Sequence, residues 1–173
     1  MIVVGIDPGL TGALSFVDTA TGAIAIEDIP TKERSARGEV AKRVDGLALA
    51  TLVRRHVPPN AAAMSACEAV RSFGRSDPAR AATVDSLQMT LGALLAVFDV
   101  LRCPCVLVEP RAWQQLAGVA GKAKEQRERG TLPAAVLKAR ELYPAAAPML
   151  ERVKDHNRAE SLLIAHYAVR TLA

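Results

Sequence analysis

The stretch Ile2-Val3-Val4-Gly5-Ile6-Asp7-Pro8-Gly9 decides the fold. It is apolar on both alternations and rich in β-branching, which suits a central strand covered on both faces. Asp7-Pro8-Gly9 closes it with a turn signal. Ala13-Leu14-Ser15-Phe16-Val17 follows, then Asp18-Thr19-Ala20-Thr21-Gly22 and Ala23-Ile24-Ala25-Ile26, which read as a hairpin with a five-residue loop. Three strands therefore open the chain as an antiparallel meander.

Further along, residues 31–45 are dense in charge and poor in large apolar side chains, and read as a loop or a solvated helix start. Asp45 caps a helix in which Leu47, Ala50, Val53 and Val57 recur at helical spacing, and Pro58-Pro59 stops it. Ala61 to Glu68 reads as a buried strand whose end carries a carboxylate. Asp77-Pro78 offers an N-cap and a first-turn proline to a long helix with Val84, Leu87, Leu91, Leu94, Leu95 and Phe98 on one stripe. Cys105-Val106-Leu107-Val108 is the next strand, closed by Pro110. Gly121 to Gly130 reads as a mobile basic loop, Pro133 opens a helix that Pro144 ends, and Asn157 to Leu172 forms a largely buried last helix. The order β-β-β-α-β-α-β-α-α predicts an α/β fold, a mixed five-stranded sheet flanked by helices.

With 22 Lys+Arg against 18 Asp+Glu in 173 residues, the chain carries a net charge of +4, and half of its residues are hydrophobic. At about 150 residues per domain, this predicts a single domain over residues 1–173 with a real core. The three cysteines are an odd number, and Cys103 and Cys105 lie too close for an ordinary structural disulfide, which points to a reducing compartment. Cys-Pro-Cys would be half of a zinc site, but the histidines are only His56, His156 and His166, with no second pair at ligand spacing. The apolar start lacks a basic leader and is cut by Asp7, and no apolar run approaches the ~20 residues of a membrane helix. A soluble cytoplasmic protein with no membrane association is expected.

Three acidic features carry the chemistry. Asp7 sits at the carboxyl end of a buried strand, where open α/β sheets place their ligand sites, although alone it reads as the start of a turn. Glu68 ends a second apolar strand, where a solvated carboxylate is not the expected occupant. Asp155-His156-Asn157-Arg158-Ala159-Glu160 opens the last helix. There His156 and Glu160 lie about 40° apart around the axis and Asn157 and Glu160 about 60°, whereas Asp155 and Glu160 do not share a face. The ordinary structural reading of the cluster is a capping box, Asn157 with Glu160 three later. Taken together, acids scattered over separate elements are what a two-metal nuclease requires.

These residues resemble a known family. Gly5-Ile6-Asp7-Pro8-Gly9-Leu10-Thr11-Gly12-Ala13, Cys67-Glu68, Val108-Glu109-Pro110-Arg111-Ala112-Trp113, Gly121-Lys122 and Arg158-Ala159-Glu160-Ser161-Leu162-Leu163-Ile164-Ala165 are similar, in family order, to the RuvC-type Holliday junction resolvases. The likeness is strongest to the branch found in phages, prophages and plastids. The resemblance implies a ribonuclease-H-like fold, a homodimer, and cutting of four-way DNA junctions by paired nicks with Mg²⁺ or Mn²⁺, two ions per site. Residue by residue, it implies that Asp7 and Glu68 are the first two metal-binding acids and Glu160 the last. The family's commonest pattern has an Asp three residues before the last acid, where this chain has Asn157. Asp155 or His156 could fill that role: helical geometry favours His156, and hard-metal preference favours Asp155.

DNA binding is expected from Arg71, Arg75, Arg80, Lys122, Lys124, Arg127, Arg129 and Arg158, with Phe73 in a polar, glycine-containing loop as a base-stacking aromatic. Trp113 reads as a packing residue whose indole N–H needs a partner. Three other readings are weighed. An actin-like ATPase or sugar kinase shares the Asp-x-Gly turn but needs two such domains, and an acidic transposase would carry extra domains. A non-catalytic binder of branched DNA would be expected to have lost Asp7 or Glu68, and both are present. Nothing in the sequence identifies a helicase partner.

Overall fold

The computed structural model describes residues 1–36, 39–70, 78–121 and 132–173, with the side chains at 34–36, 39–41 and 78–82 left aside. The opening strands β1 (Ile2–Asp7), β2 (Ala13–Asp18) and β3 (Ile24–Asp28) form the antiparallel meander, with Val3 opposite Val17 and Phe16 opposite Ala25. A hairpin of β4 (Thr31–Ala36) and β5 (Glu39–Val44) leads into α1 (Gly46–His56). Strand β6 (Ala63–Glu68) pairs parallel with β1 and, after α2 (Pro78–Val100), β7 (Cys105–Val108) pairs parallel with β6. Then come α3 (Pro110–Leu116), α4 (Ala134–Leu142), two short 3₁₀ turns (Pro144–Met149 and Val153–Asp155) and α5 (His156–Thr171). The main sheet runs β3-β2-β1-β6-β7, so β1 is central, as its two-faced apolar composition requires.

Alternation along β1 divides the core into two layers. Val3 joins the layer beneath α3, α4 and α5, whereas Val4 and Ile6 join the layer beneath α1 and α2. The α5 layer is built on Trp113, Val136, Leu162, Leu163 and Ile164, and the other on Leu14, Leu49, Leu94 and Phe98, all fully buried. A buried Leu, Ile or Phe contributes about 1.5–3 kcal/mol each, so both layers are substantial.

Four local expectations change. Residues 31–45 form the β4–β5 hairpin, not a loop or helix start: charge dominates the composition, but backbone pairing needs only one apolar anchor, the buried Val44. In α1, Asp45 does cap, accepting from the N–H groups of Leu47 and Ala48, yet Leu49 and Val53 face the core while Leu47 is 78% exposed. The helix α3 went unread because Pro110 also fits helix position N1. Finally, Thr83–Val100 in α2 is long and apolar enough, at a mean hydropathy of 1.3, to pass as a membrane span by length and composition, because its two aspartates, Asp85 and Asp99, break the run without polarising it. Its Leu91, Leu94 and Phe98 are nonetheless buried against the sheet.

Helix α5 approaches the main sheet closely at Gly5. A Cβ there would fall on the Ser161 carbonyl oxygen and the Ala165 amide nitrogen, so α5 lies directly on the β1 backbone. Backbone atoms cannot swing aside as a flexible side chain could. Gly5→Ala is therefore expected to destabilise the protein by about 1–3 kcal/mol or more, read as a lowered urea midpoint. An unchanged midpoint would mean that α5 does not sit on β1 in this way.

Candidate active site

Alternation and register bring the acids together. Asp7 follows Val3 and Gly5 on the α5 side of β1, and Glu68 follows Met64 and Ala66 on the α5 side of β6. Because Ile6 pairs with Cys67 in the parallel register, Asp7 and Glu68 are neighbours at the carboxyl ends of adjacent strands. Glu160 descends from α5, one residue before the Ser161 that rests on Gly5. Three elements distant in sequence thus deliver one carboxylate each to the same end of the sheet.

Each carboxyl is shifted toward its neutral form. Burial holds Asp7 well above the usual carboxylate range, and the charges of Glu160 and Glu68 add to the shift. Burial raises Glu68 as well, against the lowering effect of a hydrogen bond from Trp113. Glu160 is pushed up to about 7, first by burial and then by the charge of Glu68. Mutual repulsion in a poorly solvated place is an arrangement that a cation relieves.

The surroundings fix these groups. Trp113 is buried, and its indole N–H donates to Glu68 Oε2 at 2.7 Å, which gives the N–H its partner. Asn157 Nδ2 donates to the Thr11 carbonyl at 2.6 Å, tying the start of α5 to the turn that follows Asp7, so the capping-box reading of Asn157 with Glu160 does not hold. Behind the acids, Ser161 donates to the Arg158 carbonyl at 2.8 Å, which leaves Ser15 as the donor of the buried 2.6 Å Ser15–Ser161 hydrogen bond. At Gly12, a Cβ would fall on the Asp7 carbonyl, so the turn after Asp7 closes only around glycine.

Other residues expected at the site lie differently. Asp155 is buried and turned to Arg152, which donates from its backbone N–H at 2.8 Å and from Nη2 at 2.7 Å. That guanidinium holds Asp155 below the usual carboxylate range. His156 is exposed at the first turn of α5 and has no hydrogen-bond partner among the described residues. Arg158 makes a two-pronged ion pair with Asp28, at 2.6 and 2.7 Å. Arg71, Phe73, Arg75, Lys122, Lys124, Arg127 and Arg129 lie outside the described residues, as does the side chain of Arg80. The Trp113–Glu68 and Arg152–Asp155 pairings were missed in the sequence; the only signal was an indole needing an acceptor and an Arg three residues before an Asp.

Among the described residues no group of three His, Cys, Asp or Glu side chains is arranged to enclose a metal ion. The fit therefore rests on donor chemistry: three carboxylates and no thiol on this face, each raised in pKa and two of them raised by the others' charges. That is an oxygen donor set for a hard divalent cation. Asp7, Glu68 and Glu160 are the residues that would hold it.

No protein-family model matches the chain, and no curated protein matches it significantly. Solved structures do. The fowlpox virus Holliday junction resolvase aligns over all of both chains at 13% identity with a TM-score of 0.49. Thermus thermophilus RuvC aligns over 98% of this chain and 96% of that chain at 22% identity, TM-score 0.56. The same RuvC in complex with a Holliday junction substrate aligns over 99% and 96% at 19% identity, TM-score 0.57. At this distance the likeness to RuvC is one of fold, and it establishes the mixed five-stranded, ribonuclease-H-like architecture of this chain.

Proposed function

We propose that the chain is a single nuclease domain over residues 1–173, a soluble cytoplasmic crossover junction endodeoxyribonuclease that resolves Holliday junctions by paired nicks. The observation that carries this is the meeting of Asp7, Glu68 and Glu160, from three separate elements, at the carboxyl end of the central strands of a RuvC-like fold. The motifs quoted above support the phage, prophage and plastid branch.

Two divalent ions, Mg²⁺ or Mn²⁺, would supply Lewis-acid activation of the scissile phosphodiester and of the attacking water. The chain's own part is to bind and orient. Trp113 donates to Glu68 Oε2 and so orients that carboxylate. Asn157 keeps the Thr11 turn against α5, so Asp7 and Glu160 keep their spacing. Glu160, with its pKa near 7, holds a proton part of the time at neutral pH and must release it as the site loads. For the fourth position the Arg152 clamp on Asp155 favours His156, which is exposed and uncommitted.

A homodimer provides the two sites that two symmetric nicks require, and closed two-fold interfaces are the commonest kind. The helix α2 supports it: only 22% of Thr83–Val100 is buried, and Met89 and Val100 are 61% and 80% exposed. Ala96 is exposed on the same helix, whereas Ala93 and Val97 are partly buried against the core of their own chain. Arg71, Arg75, Arg80, Lys122, Lys124, Arg127 and Arg129 would hold the branched DNA backbone and Phe73 would stack on bases, with Arg158 confined to a structural share by Asp28.

Asp7→Asn and Glu68→Gln are each expected to fold and bind junction DNA yet to cut it at less than about a tenth of the wild-type rate, a loss above ~1.4 kcal/mol. Retained cutting by either would remove its metal role. Of His156→Ala and Asp155→Asn, the first is expected to be the more impaired in the same assay, and near-normal cutting by both would mean a three-acid site.

The raised carboxyls also set a pH dependence of stability. Groups whose folded pKa exceeds the unfolded value stabilise the fold at low pH, and that contribution is lost as pH rises through the folded value. For Glu160 the window runs from its ordinary 4.5 to about 7. The melting temperature of the metal-free protein should therefore decline relative to a Glu160→Gln variant between pH 5 and 8, and Mn²⁺ should raise it more at pH 8 than at pH 5. A metal effect independent of pH would sink the three-acid site.

Light scattering at micromolar concentration is expected to show a dimer, with and without junction DNA. A particle of 18.3 kDa under both conditions would defeat the paired-nick reading.

A further inference from the structure

The β4–β5 hairpin stands apart from the main sheet and meets α2 through β5. It forms a sheet of its own, anchored at its base by the buried Val44, by the Asp45 N–H on the Pro30 carbonyl at 2.9 Å, and by the Lys32–Asp45 ion pair at 3.1 Å. Two-stranded ribbons gain little stability by themselves. Across its strands Lys32 stands opposite Arg43, like charges that repel, and Glu33 stands opposite Lys42, opposite charges that attract. Its two strands carry Lys32, Arg34, Lys42 and Arg43 against Glu33 and Glu39, an excess of two within the chain's whole excess of four.

Between the hairpin and α2 lies a groove of about 720 Å³. The hairpin lines it with Lys32, Lys42 and Arg43, α2 with Met89 and a single acid, Asp85, and Leu10, three residues beyond Asp7, belongs to the same lining. Lys32 is committed to Asp45. Lys42 and Arg43 are exposed and have no ion-pair partner among the described residues. Two uncommitted cations therefore border a groove that begins at the turn following a proposed metal ligand.

We propose that this groove is a second DNA-backbone site, where Lys42 and Arg43 take phosphates from an arm of the substrate whose scissile strand lies at Asp7, Glu68 and Glu160. The inference rests on the nuclease reading above. Phosphate contacts of this kind fix position and orientation and carry no base specificity, which suits a protein that must hold a branched substrate by its shape. Met89 also belongs to the apolar side of α2 assigned to a second subunit. The lining sets Lys32, Lys42 and Arg43 against one acid, Asp85, an excess of positive charge that phosphates neutralise. Charge complementarity therefore assigns the cationic wall to DNA.

The test uses the full chain and a fluorescently labelled four-way junction in EDTA, with binding followed by anisotropy across a range of NaCl concentrations. For Lys42→Ala/Arg43→Ala the slope of log affinity against log salt should shrink by about 2, close to 0.9 per lost phosphate contact. Affinity should fall roughly tenfold at about 0.1 M salt. The charge-keeping pair Lys42→Arg/Arg43→Lys should retain the wild-type slope, with melting temperatures matched across all three proteins. Wild-type slope and affinity in the alanine variant would overturn the groove site while leaving the nuclease reading intact. So would a variant whose main defect is a changed particle mass, which would give the groove to the subunit seam. A wild-type protein that shows no affinity for the junction would bring down the nuclease reading itself, and this inference with it.

Discussion

The constraint on which the structure depends is the distance between α5 and β1. Helix and strand meet backbone to backbone at Gly5, and Ser15, which pairs with Gly5 across β1 and β2, secures the contact by its hydrogen bond to Ser161. Glu160 is attached to that contact by a single peptide bond, so its height above Asp7 is set by a glycine with no chemistry of its own. A larger residue at position 5 would lift the helix and move the carboxylate with it. Asn157 provides the second fixed point, one turn earlier, on the Thr11 carbonyl.

Held at that height, the three acids oppose folding. Burial raises all three pKa values and repulsion adds to those of Asp7 and Glu160, and a sequence selected for stability alone would replace at least one of them. Local rules that are broken at one place and obeyed elsewhere mark a functional site. Among the described carboxylates the breach lies at the carboxyl ends of β1 and β6 and the start of α5. The nearby Arg152–Asp155 and Arg158–Asp28 pairs obey the ordinary rule of charge compensation, and their acids are shifted the opposite way.

Much of this was legible in the sequence, and for a common reason. The central place of β1, the meander, α2 and the burial of Leu162 to Ala165 all follow from hydrophobic periodicity, and Asp7 and Glu68 stood out because each ends an apolar run. What failed to show was whatever depends on pairing across the sequence. The hairpin at 31–44 was hidden because its strands are defined by backbone partners and not by an apolar face. The role of Trp113 was half visible: a buried indole must have an acceptor, but the identity of Glu68 follows only from where β6 and α3 meet. Asn157 misled because its amide serves two grammars, capping its own helix or reaching to a distant turn, and local sequence does not choose between them.

The division of the core into two layers has its own consequence. The β1 side chains that feed the α1–α2 layer, Val4 and Ile6, are not those that face α5, so a repacking on one side of the sheet reaches the other only through the strand backbone itself. A stiff, fully paired central strand is a poor conductor of such disturbance. Changes in the packing of α2 can therefore arise without disturbing the face beneath α5 on which the three carboxylates are mounted. In such a molecule, the two faces of one sheet evolve as separate traits.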